Sequence, residues 1–359
     1  MEVGRWMTSK HVLVGMSGGV DSSVCAAMLL QKGYRVTGIT IRFHDEEEAF
    51  HEAFKSAAQV AHKLGIEHIS KDYTELFKSH VVNYFVDEYT VGNTPNPCIF
   101  CNPNVKFRAL IETADEHGCD FIASGHYCRI QKNTQTERYE IHRAKDTKKD
   151  QTYFLYRLTQ GQLARIQMPL GEFTKTEIRG FATEMGLPVA QKHDSQEICF
   201  IPNGNYIDFI EKTTGKAAPE GDFTDASGKV LGRHKGITRY TVGQRKGLGD
   251  SFGRPYFVTG IDPCLNRVIL GEDADTLSNW LIAENIRMSG LSDFTEPIRV
   301  YMKARSTAEL APAWLYPCDH DSFKVVFDSP QRALTPGQSA VAYRDDIVLC
   351  GGIITRGGR

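Results

Sequence analysis

The chain has 359 residues, 41% hydrophobic and 24% charged, with a formal net charge of −2. That length holds two or three domains, and the composition is that of an ordinary globular protein rather than a disordered or fibrous one. A charge this close to zero excludes whole-molecule attraction to a polyanion, so nucleic-acid contact must come from local patches, and the absence of a run of about 18 apolar residues excludes a helical membrane span.

Residues 1–10 are polar and the apolar run at 11–16 is too short for a signal-peptide core. Residues 11–16 predict a strand that ends in a glycine-rich turn. A helical pattern follows, with Val20, Val24, Ala27 and Met28 on one face and Gly33 as its stop. Strand-like segments at 34–41, 66–70 and 120–124 alternate with helical ones at 46–64, 73–89 and 105–117. A Pro/Asn/Cys-rich loop is expected over 94–104. This alternation predicts an α/β fold with a doubly wound parallel sheet. Thr174 and Glu177 have the spacing of a capping box and start a helix that ends at Gly186. After residue 204 glycines and short β-rich runs take over, among them 221–236 and 239–249. The expected domains are therefore 1–204, a small central β-rich domain at 205–278, and a C-terminal β-barrel at 279–359. Lys229, Arg233, Lys235, Arg239, Arg245 and Lys246 form a basic run, and Arg143, Lys145, Lys148 and Lys149 a shorter one. Each is either a solvated face or a phosphate contact. The nine cysteines are odd in number in a long chain, which speaks against a disulfide scaffold and for a reducing cytoplasm.

The strongest motif is Gly15-Met16-Ser17-Gly18-Gly19-Val20-Asp21-Ser22-Ser23, between the first strand and the first helix. Glycines let backbone approach a phosphate closely, and the open N–H groups of a helix start favour anions. The serines can donate to phosphate oxygens, and Asp21 can hold Mg²⁺. No lysine closes the string, so it is not the Gly-x-x-x-x-Gly-Lys loop. It resembles the PP-loop of ATP pyrophosphatases, which split ATP between the α- and β-phosphates.

A second motif runs Thr94-Pro95-Asn96-Pro97-Cys98-Ile99-Phe100-Cys101-Asn102-Pro103-Asn104-Val105-Lys106-Phe107. Cys101 is expected just ahead of a helix and near Lys106 and Arg108, a setting that favours thiolate. A third, Asp194-Ser195-Gln196-Glu197-Ile198-Cys199-Phe200, adds Cys199. Either cysteine alone is as readily a small buried hydrophobe.

With three motifs in this order the chain resembles the tRNA-specific 2-thiouridylase family (MnmA). Further matching strings are residues 123–126, 149–155, 240–249 and 334–338. The resemblance implies that O2 of the wobble uridine of tRNA is adenylated with ATP and that a persulfide sulfur then displaces AMP. A base carbonyl oxygen leaves poorly, and adenylation corrects that. It implies Cys101 as nucleophile and Cys199 as persulfide carrier, with sulfur delivered by a relay protein or a cysteine desulfurase. The sulfur either attacks C2 directly or is first released by Cys101 with formation of a Cys101–Cys199 disulfide. Gly15, Met16, Ser17, Gly18, Gly19, Val20, Asp21 and Ser22 would cradle ATP and Mg²⁺. Ile41 would meet adenine, and Gly125 would line the same site from a neighbouring strand end. Asn96, Pro97 and Cys98 would meet the target base. His126, Lys149, Asp150, Gln151, Arg305, Ser306 and Gln338 would contact tRNA. A monomer is the default.

Two positions depart from the family pattern. Cys98 stands where an aspartate able to act as acid or base is common, and a thiol titrates near 8.5 against about 3.9 for aspartate. Ser306 stands where a tyrosine is common. Cys98, Cys101 and Cys199 together supply three thiolates, the ligand set of a [4Fe–4S] cluster, unless Cys98 is simply a spare thiol. Two other functions remain open on sequence: a small-molecule ligase with the same ATP loop, and an RNA-binding or sulfur-carrying protein without catalysis.

Overall fold

The computed structural model describes residues 9–192, 198–202, 204–249, 253–319 and 321–358. Two compact units divide the chain, Met1–His80 with Phe100–Gln196, and Val81–Ile99 with Glu197–Arg359.

The first unit is built on β1 (His11–Gly15), α1 (Val20–Gln31), β2 (Arg35–Arg42), α2 (Glu47–Leu64) and β3 (Glu67–Asp72). It continues with α3 (Phe107–Glu116), β4 (Phe121–Ala123), a hairpin of β5 (Arg129–Lys132) and β6 (Tyr139–His142), β7 (Ile166–Gln167) and α4 (Lys175–Glu184). The parallel sheet has the order β3-β2-β1-β4-β7. Val12 and Val14 of β1 are fully buried with Val24 and Met28 of α1 and Ile178 and Ala182 of α4. Side chains alternate along a strand, so Leu13 and Gly15 face the other way, and Gly15 sits against Leu110 of α3. Chain order reverses between β1, whose partner on one side is β2, and β4 on the other. Ligands of open α/β sheets bind at the carboxyl ends of strands at such a switch point. The glycine-rich string leaves β1 there, and Gly125 follows β4.

The second unit holds α5 (Tyr206–Thr214), β8 (Gly221–Thr224), β9 (Val230–His234), β10 (Phe257–Asp262) and β11 (Arg267–Gly271), with a four-stranded sheet in the order β10-β11-β8-β9. Phe223, Tyr240, Val258, Val268 and Leu270 form its core. Tyr89 stacks on Tyr206 of α5 at 4.8 Å between ring centroids, and Phe85 meets Phe200 edge-on at 5.4 Å.

Six further strands follow: β12 (Leu277–Met288), β13 (Ile298–Lys303), β14 (Ala311–Pro317), β15 (Ser322–Arg332), β16 (Ser339–Arg344) and β17 (Ile347–Gly358). They run in the order β12-β15-β14-β13-β16-β17, and pairing of β12 with β17 closes the barrel. In β14 buried Ala311, Ala313 and Leu315 alternate with exposed Pro312, Trp314 and Tyr316, the signature of a strand with one face in a core. The α/β sheet and the closing barrel expected from sequence are both present.

Two local expectations are corrected. Residues 94–104 are not a loop throughout. Pro97–Cys101 is helical, Asn102–Lys106 forms a π-helical turn, and α3 continues from it. Pro97 starts the run at a position where its missing N–H costs nothing. Pro103 would clash with the carbonyl four residues back in a regular helix, and the wider turn relieves that. Residues 239–249 are not a strand. Gly243, Gly247 and Gly249 take φ of 91°, 76° and 91°, a region outside extended backbone, and the segment is a series of turns.

Candidate functional site

The glycine-rich string forms a loop tied down on both sides. Met16 donates its N–H to Ile39 O at 2.7 Å, and Thr40 Oγ1 donates to Met16 O at 2.9 Å. Gly18 has φ +68°, and a Cβ there would lie 2.5 Å from Ala53 O, so only glycine fits. Ser23 Oγ donates to Gly19 O at 2.8 Å, and Ser17 N–H donates to Ser22 Oγ at 3.2 Å. Gly19 occupies the N-cap of α1 and supplies no side-chain hydrogen bond. A twelve-residue helix therefore starts with uncapped N–H groups beside a loop without Cβ atoms, which is the donor set that a phosphate chain fits. Gly125 closes the other side. A Cβ on it would fall 2.7 Å from Ser22 N and 2.8 Å from the Asp21 carbonyl carbon. Ile41 is half-buried near the end of β2.

Asp21 is engaged by two residues that sequence reasoning misses. Lys175 Nζ lies 2.8 Å from Oδ1 and 2.7 Å from Oδ2, and Tyr127 Oη donates to Oδ1 at 2.8 Å. Lys175 is the first residue of α4, held there by the Thr174–Glu177 capping box and by its own N–H on Asp146 Oδ2 at 3.0 Å. The capping box was the one signal in the sequence; it locates a helix start but not what that start faces. A lysine thus serves this loop after all, from 154 residues away. Asp21 with its oxygen donors fits a divalent cation, and Lys175 fits phosphate oxygens once it leaves Asp21.

His126 follows Gly125. Its Nδ1 is 2.7 Å from Ser124 Oγ, and its ring lies 5.6 Å from that of Phe107. Burial, helped by the Lys106 charge, holds its pKa well below the usual value, so the ring is neutral near pH 7. Gln151 is locked to Tyr127 by two 2.9 Å hydrogen bonds, one from Gln151 N to Tyr127 O and one from Tyr127 N to Gln151 Oε1. Asp150 points inward, accepting from Ala144 N at 3.0 Å and Thr152 Oγ1 at 2.8 Å. Lys149 is exposed. Of these three neighbours the lysine is the one whose side chain reaches solvent most fully.

Cys101 is buried, within the helical run rather than ahead of it as expected, and Arg108 spends its charge on Glu112 at 2.7 Å. Asn102, also buried, donates Nδ2 to Phe154 O at 2.9 Å, and Gln162 Nε2 donates to Pro103 O at 2.8 Å. These two bonds hold the π-helical turn. Cys98 and Cys199 are exposed and belong to the second unit, whereas Cys101 belongs to the first. Residues 193–197 of the third motif lie outside the described residues. Burial pushes the thiols of Cys25, Cys119 and Cys128 up, and that of Cys350 up to about 12, which makes these four inert. Among the described residues no three His, Cys, Asp or Glu side chains are grouped to hold a metal ion, so the expected [4Fe–4S] ligand set finds no support.

In the second unit the structure brings together segments that the sequence keeps far apart. Gln338 Nε2 donates to Thr94 O at 2.7 Å, Thr94 N donates to Pro336 O at 2.9 Å, and Thr94 Oγ1 meets Thr241 Oγ1 at 3.1 Å. Gly337, at φ +88°, lets the two backbones touch, since a Cβ would sit 2.9 Å from Thr94 N. Arg305 Nη2 donates to Val242 O at 2.8 Å and hydrogen-bonds Thr335 Oγ1. Asn96, Pro97 and Cys98 therefore begin two residues after Thr94, which is tied to Gln338. Arg305 joins the same network through Val242 and Thr335, with half-exposed Ser306 next to it.

A family model described as the tRNA methyl transferase HUP domain matches residues 10–203. A tRNA methyl transferase PRC-barrel domain matches 207–272, and an aminomethyltransferase β-barrel domain matches 278–354. The chain is 44% identical over 356 residues to the tRNA-specific 2-thiouridylase MnmA of Clostridioides difficile, covering 97% of this chain and 99% of the relative. To the MnmA of Acetivibrio thermocellus it is 47% identical over 358 residues, covering 97% and 100%. The chain belongs to the MnmA family. Clostridium acetobutylicum MnmA is 45% identical and matches at 96% and 99% coverage, so the likeness to MnmA proteins extends through both β-rich regions as well as the nucleotide loop. Among the described residues no helix is long and apolar enough to cross a membrane.

Proposed function

We propose that the chain is an ATP-dependent tRNA 2-thiouridylase acting on the wobble uridine. The observation that carries this reading is the intact glycine-rich loop, with Asp21 held by Lys175 and Tyr127, inside a chain that matches MnmA proteins from end to end. ATP would supply the adenylyl group that turns the uridine O2 into a leaving group, and Mg²⁺ on Asp21 would screen the triphosphate. Gly15–Ser22 and the α1 N-terminus bind and orient the phosphates. Gly125 keeps the loop backbone in place, and Ile41 abuts the adenine. Lys175 neutralises charge that develops on the departing pyrophosphate.

Cys199 carries the transferred sulfur as a persulfide delivered by a relay protein or cysteine desulfurase. Cys101 is the second thiol. Either the terminal sulfur attacks C2 of the activated uridine and AMP leaves, or Cys101 attacks the persulfide and frees sulfide for the same displacement. In the first order Cys101 then attacks Cys199 Sγ and breaks the S–S bond that still ties the transferred sulfur to the enzyme; in both orders a Cys101–Cys199 disulfide remains, and a thiol reductant must clear it. The balance is the same in both: AMP and pyrophosphate form, and one oxygen of the base is replaced by sulfur. Asn96, Pro97 and Cys98 frame the target base. His126, Lys149–Gln151, Arg305, Ser306 and Gln338 support the tRNA around it. Domains at 1–204, 205–278 and 279–359 fit this division of labour.

Mass spectrometry of nucleosides from tRNA of a deletion strain tests the reading. Wobble 2-thiouridine should disappear and return with the wild-type gene. Its persistence in the deletion strain would refute the proposal.

A further inference from the structure

The hydroxyl of Thr40 has one proton, and it goes to Met16 O at 2.9 Å. Towards His68 Nε2, also 2.9 Å away, the same hydroxyl can only accept, so His68 carries a proton on Nε2 and donates it. Burial holds the imidazole below its usual pKa, so the ring is neutral near pH 7. Met16 N–H is spent on Ile39 O at 2.7 Å. Both backbone groups of Met16 are thus tied to β2, one of them through a hydroxyl whose orientation His68 fixes. Met16 and Thr40 are 2% and 3% exposed, so the contact is shielded from solvent.

Gly38 makes the room for this arrangement. It lies opposite His68 in the parallel pairing of β2 with β3, and a Cβ on it would run into Met16 Sδ and lie 3.2 Å from His68 Cδ2. Phe54 of α2 packs on the imidazole, with ring centroids 4.9 Å apart. Ala53, the residue before it, is the one whose carbonyl excludes a side chain at Gly18. The same turn of α2 therefore packs on His68 and on the glycine-rich loop.

The loop holds the phosphates and Ile41, the residue after Thr40, holds the base, so ATP joins two half-sites. We propose that His68 is a positioning residue for ATP: acting through Thr40, it fixes the distance between the phosphate cradle and the adenine wall on β2. The proposal rests on the ATP reading given above and adds to it the side chain that sets the register of the two halves. A ligand that spans both half-sites gains from a fixed spacing, and a ligand that fills only one does not.

The test is tRNA-driven pyrophosphate release over an ATP series. Phenylalanine at position 68 keeps a ring for Phe54 and lacks the donor, whereas a glutamine amide can place an N–H where Nε2 stands. His68→Phe should raise the KM for ATP about 3- to 10-fold, the worth of one hydrogen bond, with kcat changed less than about 2-fold. His68→Gln should recover most of that loss. Inhibition by tripolyphosphate and by adenosine, each filling one half-site, should be the same in His68→Phe as in the wild type. Thr40→Val should also raise the KM, and adding His68→Phe to it should do no further harm. The proposal is overturned, with the thiolation reading intact, by an unchanged KM in His68→Phe, by an equal rise in His68→Gln, or by additive effects in the double variant. Weaker inhibition by tripolyphosphate overturns it too, because the cradle itself would then have been lost. A wild-type chain without ATP-dependent pyrophosphate release would refute the ATP reading, and this proposal with it.

Discussion

Lys175 and Asp21 form a two-oxygen ion pair, 2.8 and 2.7 Å, between the first turns of two helices. The lysine side chain is only 12% exposed and the aspartate 31%, so the pair is poorly screened. Asp21 cannot serve a cation fully while it holds Lys175, and Lys175 cannot serve phosphate while it holds Asp21. Arrival of MgATP lets each take a better partner. Lys175→Met should cut tRNA-dependent pyrophosphate release about 100-fold, the scale seen when one preorganised charge donor is lost. The same variant should reach half-maximal rate at lower Mg²⁺, because Asp21 is no longer occupied. Initial rates over a Mg²⁺ titration measure both, and a variant with the wild-type rate and Mg²⁺ dependence would remove Lys175 from the site.

Gly125 offers a second test, because its partner is backbone. The Cβ of Gly125→Ala would lie 2.7 Å from Ser22 N, and neither the helix start nor the strand end can yield cheaply. ATP affinity should fall at least 10-fold, with a loss of about 1–3 kcal/mol of stability from overpacking. Gly180, inside α4, has nothing within 4 Å of its Cβ position. Gly180→Ala should therefore stabilise by about 0.5–1 kcal/mol through helix propensity and leave ATP binding unchanged. Isothermal titration with a non-hydrolysable ATP analogue and thermal melts separate the two outcomes.

The parts of the site differ in how far the sequence makes them legible. Gly15–Ser23 is contiguous and lies between a strand and a helix with clear periodicity, so the nucleotide loop and the parallel sheet around it can be read directly. Lys175 cannot, because its role depends on where the N-terminus of a later helix lands. The helix through Cys101 is hidden by Pro97 and Pro103, residues that usually break helices but here sit at a first turn and in a widened turn. The network joining Thr94, Thr241, Arg305 and Gln338 spans up to 244 residues and depends on close backbone approach at Gly337, which no local pattern encodes.

His126 makes stability depend on pH in a direction that can be worked out. Its folded pKa is depressed, chiefly by burial, whereas the unfolded chain protonates near 6.5. Below about pH 6.5 the unfolded state binds more protons, so stability rises with pH and is lost as pH falls towards 5. His11, His44, His68 and His234 are lowered by burial too and add to the slope. The melting temperature should drop between pH 7.5 and 5.5, and His126→Gln, which keeps a polar partner for Ser124 but does not titrate, should drop less. Equal drops in wild type and variant would show that His126 does not contribute.

The cysteines separate into groups with different expected behaviour. Cys101→Ser and Cys199→Ser should each abolish 2-thiouridine formation, by more than 1,000-fold, because serine cannot carry or accept sulfur. Pyrophosphate release driven by adenylation should survive in both. Cys264→Ser and Cys318→Ser, at exposed positions elsewhere, should leave both readouts unchanged. Retardation of thiolated tRNA in mercury-containing gels measures the first readout, and a coupled pyrophosphate assay measures the second. Full thiolation by either Cys101→Ser or Cys199→Ser would end the proposed sulfur relay.

Asn102 tests whether the π-helical turn matters to the cysteine beside it. Its amide is buried and donates to Phe154 O at 2.9 Å, while Gln162 supports the next residue through Pro103 O. Asn102→Ala leaves that carbonyl without its donor in a buried place, which should cost about 1–3 kcal/mol. A regular helix cannot replace the turn, because Pro103 still excludes one. The expected result is a lower melting temperature together with slower sulfur transfer at unchanged ATP affinity, since Cys101 loses its fixed position and the nucleotide loop does not depend on it. Asn102→Asp places a carboxylate against a carbonyl oxygen and should be worse than alanine. A variant that is destabilised but transfers sulfur at the wild-type rate would mean that the turn serves folding alone.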